Sequence, residues 1–245
     1  MKKRLPSLSV VMPVYNEAYI IEKSIRSFYN ELKGKIDFEI IVAEDGSTDG
    51  TKEILKRLKK ELKIRAYMHK ERKGVLRANK EALRYPKYEW ILLVDSDYQF
   101  DPKNIWRLLP YTKDYDVILG LKVKRKDPFY RIVLSKGFNF LLRVFLKVPL
   151  KDMDTGFKLI KKEVVREVVK EVGVLSYFTS EFVVRSYYKG FKIVEVPVTH
   201  WKREGAESNV FPIRKIPSVV IKELIALYKF NKEIKSKYSV PPKSP

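Results

Sequence analysis

The stretch WILLVDSDYQF, residues 90–100, passes from apolar to acidic within a few residues. Trp90 and the run Ile91, Leu92, Leu93 and Val94 read as a strand, and the chain then places Asp95 and Asp97 two apart. If the Asp-x-Asp is still extended, its side chains point to the same side, because alternate residues of a strand share a face. Two carboxylates so placed repel each other unless a cation joins them. Hard oxygen ligands favour Mg²⁺ or Mn²⁺, and a magnesium site uses one or two carboxylates and leaves positions for substrate phosphates. The competing reading is a turn with an N-cap, because Asp is also a common turn residue.

Outward from this stretch, strands and helices alternate. Residues 8–14 read as a buried strand, and Ile20, Ile21, Ile25, Phe28 and Leu32 recur at helical spacing on one face. Residues 38–43 read as strand, Ile54, Leu55, Leu58 and Leu62 mark a helix, 64–69 read as strand, 75–85 as helix and 116–123 as strand. Asp101 before Pro102 predicts a helix start, with a carboxylate N-cap and proline at the first helical position. This repetition predicts an α/β fold with a mostly parallel sheet and helices on both faces. In such a sheet, ligands sit at the carboxyl ends of the strands.

Composition narrows the function classes. The 245 residues are 45% hydrophobic, enough to bury a substantial core, and the formal charge is +21, from 51 Lys+Arg against 30 Asp+Glu. That sign predicts anionic partners such as phosphates, nucleic acid or an acidic membrane surface. With no cysteine, disulfides and zinc–cysteine sites are excluded. There is no glycine-rich dinucleotide fingerprint and no phosphate loop ending in Gly-Lys-Ser/Thr. The DGSTDG segment from Asp45 fails as a calcium loop, because its twelfth position is Lys56 where a bidentate Glu is needed. No N-terminal targeting signal and no spanning helix are expected. The greasiest segment, 137–150, carries Arg143 and Lys147 and falls short of the ~20 apolar residues a bilayer crossing needs.

Three strand ends carry polar punctuation: PVYNE (13–17), EDGSTDG (44–50) and DSDYQ (95–99). In this order and spacing, VVMPVYNE, AEDGSTDGT and DSDYQFDP resemble the GT-A glycosyltransferases of family two. The resemblance continues through RKG (72–74), RIVLSKGFN (131–139), KDMDTGF (151–157) and KGFKIVEVPVTHWKREGAES (189–208), and this later set is similar to the dolichyl-phosphate mannose synthase branch. It implies a Rossmann-like nucleotide-diphospho-sugar transferase fold over residues 1–212.

The resemblance further implies that Pro13, Tyr15, Glu17, Asp45 and Lys73 bind the nucleotide sugar, with Asp45 on base or ribose. Asp95, Asp97 and Gln99 match the family's Asp-x-Asp-x-Gln, which holds Mg²⁺ or Mn²⁺ and the donor diphosphate. Lys122, Arg131, Ser135 and Arg203 match positions associated with phosphate groups, chiefly those of an acceptor, and Asp95, Asp97 and Arg203 form the catalytic set. Three departures bear on the acceptor. Lys122 stands where the branch usually has Arg, which replaces a forked contact with a point charge, Asn209 replaces a usual Lys after ES, and Asp154 is an additional acid in DMDTGF.

The implied reaction is an inverting transfer of a hexose, mannose or glucose, from a GDP- or UDP-sugar to a polyprenyl or dolichyl phosphate. Negative charge collects on the leaving diphosphate while the sugar becomes oxocarbenium-like, so positive charge at that diphosphate favours the transition state. An ionised phosphate acceptor needs no general base. A hydroxyl acceptor on a glycan or lipid is the alternative, and Asp152, Asp154 and Glu181 are then the candidate bases. A nucleic-acid-binding module is the rival from another class, motivated by charge alone, and no reading motif supports it.

Residues 213–238 predict a basic amphipathic helix, with Ile213, Ile216, Val220, Leu224, Leu227, Tyr228 and Ile234 against seven Lys and Arg. Such a helix either lies in an anionic membrane interface or packs back as a cap, and residues 129–150 offer the same choice. Residues 239–245 read as a loose tail. The expected location is the cytoplasmic face of the membrane, by peripheral association, with a membrane-embedded protein as a further partner.

Overall fold

The computed structural model describes residues 5–123, 129–204 and 216–238, with only the backbone described at Phe129, Arg131, Ile216, Pro217 and Val219. Seven strands form one sheet: β1 Leu8–Val14, β2 Phe38–Glu44, β3 Arg65–Met68, β4 Trp90–Val94, β5 Val117–Val123, β6 Phe157–Lys161 and β7 Ile193–Thr199. Their order is β3-β2-β1-β4-β6-β5-β7. β1 pairs in parallel with β2 and β4, β2 with β3, and β5 with β7, whereas β6 runs antiparallel between β4 and β5.

The order explains where a ligand can sit. From β1 the chain winds outward through β2 and β3 on one side, and β4 begins the other side, so the β1–β4 seam is the topological switch point. The seam opens toward the strand ends. β1 and β4 stay in register from Leu8↔Trp90 to Val11↔Leu93, while β1 and β2 remain paired to Val14↔Glu44. Pro13, with no N–H to offer a central strand, falls beyond the last β1–β4 pair and costs that ladder nothing.

Helices cover both faces: α1 Ile21–Leu32, α2 Thr51–Leu62, α3 Val75–Ala82, α4 Ile105–Leu108, α5 Phe129–Leu146, α6 Lys162–Val168, α7 Phe178–Tyr188 and α8 Ile216–Lys237. Alternation along β1 sorts the core into two layers. Val10, Met12 and Val14 join Ile25, Phe28, Leu55 and Leu58 of α1 and α2, while Val11 joins Leu142, Leu146, Phe182, Leu227 and Phe230 of α5, α7 and α8.

Several boundaries move relative to the sequence reading. β2 extends one residue to Glu44, β3 shortens to four residues, and α3 ends at Ala82. Asp101 caps as expected, its carboxylate accepting from Lys103 N at 2.9 Å. The helix it starts is broken, with 3₁₀ turns at Pro102–Asn104 and Leu109–Lys113 flanking α4. Pro110 accounts for the second break, because it lacks an N–H and its ring crowds the preceding turn.

Candidate active site

The loops after β1 and β2 fasten each other. Asn16 takes the left-handed conformation at φ 52°. Its N–H donates to Ser47 Oγ at 2.9 Å, and its side-chain oxygen accepts from Thr48 N at 2.9 Å. Glu17 N donates to Thr51 Oγ1 at 3.0 Å and Ala18 N to Asp49 Oδ2 at 3.0 Å. Gly46 lets the β2 loop touch the β3 loop, since a Cβ there would stand 2.3 Å from the Glu71 carbonyl carbon. Asp45 is buried, and its two oxygens accept from Lys73 N at 2.7 Å and Gly74 N at 2.9 Å. In this structure Asp45 therefore fastens the 72–74 loop to the end of β2, and the Lys73 ammonium pairs with Glu81 at 3.0 Å. The Arg72 guanidinium lies over the Tyr15 ring, 4.0 Å from its centroid, at the mouth of the β1 loop.

β4 ends at Val94, so Asp95 and Asp97 are not both extended as the strand argument supposed. The chain turns instead through Tyr98 at φ 58°, and Gln99 N closes on Asp97 Oδ1 at 3.3 Å. A left-handed tyrosine is uncommon and marks a constrained turn. The turn is pinned from the far side of the sheet: Trp201 N donates to Gln99 O at 2.7 Å, and Gln99 Nε2 donates to Trp201 O at 3.1 Å, turning the Gln99 amide oxygen the other way.

Asp95 sits at the seam itself, exposed to the cleft. Its N–H donates to Gly156 O at 2.9 Å, and its carboxylate occupies the space a side chain on Gly156 would need, with Oδ2 1.7 Å from the ideal Cβ position. Only glycine at 156 permits this seat. Loss of solvent on the protein side and repulsion from Asp97 push the Asp95 carboxyl above the usual carboxylate range, against the pull of Lys158 and Lys122. Exposure to the cleft limits that rise.

Arg203, from beyond β7, joins the β1 and β4 loops. It donates to Glu17 at 2.5 Å and to the Tyr19 hydroxyl at 2.9 Å, and Asp97 lies 3.6 Å from it. Burial raises the Glu17 carboxyl in spite of Arg203. Thus the structure brings Glu17, Asp97 and Arg203 together, with Tyr19 as an addition that no motif signalled.

A second cluster lies between β5, the 151–156 loop and α5. Lys122 Nζ is 3.3 Å from Asp152 and 3.7 Å from Asp154. Asp154 also accepts from Ser135 Oγ at 2.9 Å and Asn139 Nδ2 at 2.9 Å. Burial opposes its charge, but Lys122 and those hydrogen bonds hold Asp154 below the ordinary carboxylate range. Burial and the neighbouring Asp154 push Asp152 up to about 7. Glu195 of β7 shapes this loop by accepting from Lys151 N and Asp152 N at 2.8 and 2.7 Å. The Arg131 side chain lies outside the described residues, although its backbone is in the first turn of α5.

Glu181 does not belong to the site. It is fully buried on α7, where its carboxylate accepts from Gly173 N, Val174 N and Leu175 N and pairs with Arg185. With both oxygens committed, it holds a turn together and is not available as a base. Lys158 was missed by sequence reasoning. This lysine of β6 has no exposed surface and donates to the Thr155 carbonyl beneath Asp95 and the 152–154 acids. Burial lowers its proton affinity, with Asp95 and Asp154 opposing. The signal available was a charged residue inside the apolar run GFKLI.

The donor set fits a hard divalent cation. Asp95, Asp97 and the Gln99 amide present oxygen atoms, the like charges want a counter-ion, and Asp95 faces the cleft. Among the described residues no group of three or more His, Cys, Asp or Glu is arranged to hold a metal. A site this sparse requires further oxygens from a ligand such as a diphosphate.

α8 packs back on the domain along one side, as the capping reading expects. Leu227, Phe230 and Ile234 are buried, Glu233 takes two hydrogen bonds from Arg185 at 2.7 and 3.2 Å, and Lys237 pairs with Glu171. Its other side leaves Ile221 58% and Tyr228 68% exposed, beside α5, where Phe140 and Val144 are each 55% exposed. Among the described residues no helix is long and apolar enough to cross a membrane.

The family model described as Glycosyl transferase family 2 matches residues 9–169. Glycosyltransferase AglD of Haloferax volcanii is 32% identical over 220 residues, covering 85% of this chain and 35% of that protein. The dolichol-phosphate mannosyltransferase of Pyrococcus furiosus is 29% identical over 212 residues, covering 83% of this chain and 59% of its own length. The chain thus spans about a third of the first relative and three-fifths of the second. Among solved structures, a mannosyltransferase from Pyrobaculum calidifontis in complex with GDP-Man and Mn²⁺ superposes with a TM-score of 0.66 at 20% identity, covering 100% of this chain and 67% of that one. That likeness shows the fold, the GT-A arrangement of a mostly parallel mixed sheet with flanking helices. With the family match spanning the β1, β2 and β4 strand ends that build the site, the chain belongs to glycosyl transferase family 2.

Proposed function

We propose that the chain transfers a hexose, mannose or glucose, from a GDP- or UDP-sugar to a polyprenyl phosphate at the cytoplasmic face of a membrane, with inversion at the anomeric carbon. The donor reading rests on the switch-point crevice, where Asp95, Asp97 and Gln99 face Glu17 and Arg203. A divalent ion held there would stabilise the charge that grows on the departing diphosphate. Arg203 adds charge-assisted hydrogen bonds at the same end, and Glu17 and Tyr19 fix its guanidinium in place beforehand. The 15–17 and 72–74 loops, braced by Asp45, form the wall for the nucleoside.

The observation that carries the acceptor reading is the two-sided character of α5. Ser135 and Asn139 face the polar cluster around Lys122, while Val133, Leu134, Phe140, Val144 and Phe145 are exposed on the helix's outer side and continue into Val220, Ile221, Leu224 and Ile225 of α8. A phosphate on a long apolar tail matches that juxtaposition, and a basic chain of +21 charge suits an anionic membrane surface. The similarity to the dolichol-phosphate mannosyltransferase of Pyrococcus furiosus supports the same reading. A membrane-embedded partner would cover the same apolar faces.

A hydroxyl acceptor is favoured by a different observation. Lys122 is already answered by Asp152 and Asp154, and the raised Asp152 is suited to accept a proton near neutral pH. The deciding experiment is turnover of GDP-mannose and UDP-glucose with dolichyl phosphate against dolichol and glycan hydroxyls. Product from dolichyl phosphate alone is expected. Product only from hydroxyl acceptors would replace the first reading with the second.

A further inference from the structure

Lys158 stands in the middle of the sheet, opposite Leu93 of β4 and Leu119 of β5, with no exposed surface. An ammonium there is expensive, and Met or Leu would fill the slot without desolvating a charge. Its ammonium donates to the Thr155 carbonyl, and the charges that act on it are Asp95, Asp154, Lys122 and Asp152. Lys122 is engaged by Asp152 and Asp154 at 3.3 and 3.7 Å, and Asp154 also holds Ser135 and Asn139. Among the described residues, no cationic nitrogen lies within ion-pair distance of Asp95, and no carboxylate lies that close to Lys158. Among the described residues, Asp95 and Lys158 are therefore charges of this rim without a direct ion partner. The backbone brings them to the same turn, because the Asp95 carboxylate rests on Gly156, two residues from Lys158.

We propose that Lys158 is a positioning residue for the metal ligands, a buried lysine whose ammonium form holds the Asp95 carboxylate on its Gly156 seat when no ion is bound there and competes with the divalent ion for it. This rests on the metal reading above. The arrangement keeps the site formed between turnovers, when nucleoside diphosphate and cation depart together, and weakens the grip on the cation enough for release. A Leu or Met at 158 would leave Asp95 and Asp97 repelling each other across the empty site and would hold the cation too tightly.

The test titrates Mn²⁺, alone and with GDP or UDP, into the full chain and into K158M and K158R, reading free Mn²⁺ by electron paramagnetic resonance. K158M is expected to bind Mn²⁺ on the order of tenfold more tightly, since a nearby positive charge is removed, while K158R keeps the charge and stays close to the original affinity. Unchanged or weaker binding by K158M, in a background where the original chain binds Mn²⁺, overturns the role of Lys158 alone. Absence of Mn²⁺ binding by the original chain overturns the metal reading and this inference with it. Should K158M fail to fold, metal-free melting decides. D95N is expected to melt several degrees lower, because the buried ammonium loses its counter-charge, whereas D97N is not. D95N melting at or above the original temperature contradicts the proposal.

Discussion

The loops proposed to hold the donor and the cluster proposed to meet the acceptor are built by opposite strategies. On the donor side, the loops after β1, β2 and β3 are cross-tied by side chains that bind backbone N–H groups: Asn16, Asp45, Ser47, Asp49 and Thr51. Its recognition surface is fixed before any ligand arrives, which is the condition for binding energy to be realised in the transition state. On the acceptor side, charges answer one another, Lys122 against Asp152 and Asp154, and the adjoining helices present apolar side chains to solvent. A preformed donor wall paired with an acceptor wall still carrying exposed apolar surface suits one soluble substrate and one that arrives from a surface.

The contrast can be broken most sharply at the β4 turn. Asp97→Ala is expected to lower transfer by about 10³-fold, with the melting temperature nearly unchanged because Asp97 lies outside the core. Steady-state rates and a melting curve on the same preparation check this, and near-normal turnover would remove Asp97 from the catalytic set. Gly156→Ala comes next. Its backbone is not in the left-handed region, so alanine is tolerated by the chain, but the new methyl would displace the Asp95 carboxylate. A misplacement of about 1 Å costs on the order of 10²-fold in rate; wild-type kcat in that variant would mean the Asp95 seat is unimportant.

On the acceptor side, Asp152→Asn separates the two acceptor readings. With dolichyl phosphate the rate is expected to change by less than about tenfold, since no general base is required. If a hydroxyl is the true acceptor the loss is about 10²-fold or more, and the original chain's activity should rise as Asp152 loses its proton, around pH 7. The sign follows from the raised pKa: below that pH Asp152 carries its proton and cannot take another. pH–rate profiles of both proteins on both acceptors provide the comparison.

Glu181→Gln tests a purely structural assignment. It weakens three backbone contacts and the Arg185 pair, at a cost of about 2 kcal/mol in stability, with kcat preserved below the new melting temperature. A selective loss of kcat would return Glu181 to the chemistry. The smallest intrinsic effect belongs to the pair Ile221→Glu and Ile225→Glu. Stability should stay within about 0.5 kcal/mol, since both side chains are exposed, yet flotation with anionic vesicles should fall several-fold. Equal flotation would place the membrane contact elsewhere.

The strand-end loops after β1, β2 and β4 were legible in the sequence because their signals are local. A buried strand followed by a polar turn occurs at β1, β2 and β4, and the three turns lie at the carboxyl edge of one parallel sheet by topology alone. The acceptor side was legible mainly by resemblance, because its parts come from β5, α5, the 151–156 loop and β7, far apart in the chain. The antiparallel β6 gave no period signal of its own, and without it neither the Gly156 seat nor the buried Lys158 could be inferred. Glu181 shows the converse error. It was a candidate base for a hydroxyl acceptor, whereas Gly173, Val174 and Leu175 had N–H groups that needed an acceptor.

The Asp95, Asp97 and Gln99 turn is proposed to hold a sugar-nucleotide diphosphate through a divalent ion. Calorimetric titration of GDP-mannose and UDP-glucose, with and without Mn²⁺, into the original chain and Asp97→Ala tests it most directly. At least one donor is expected to bind tightly only with Mn²⁺, and the substitution is expected to abolish this. Donor binding indifferent to both Mn²⁺ and Asp97, or no binding of either donor, would contradict it.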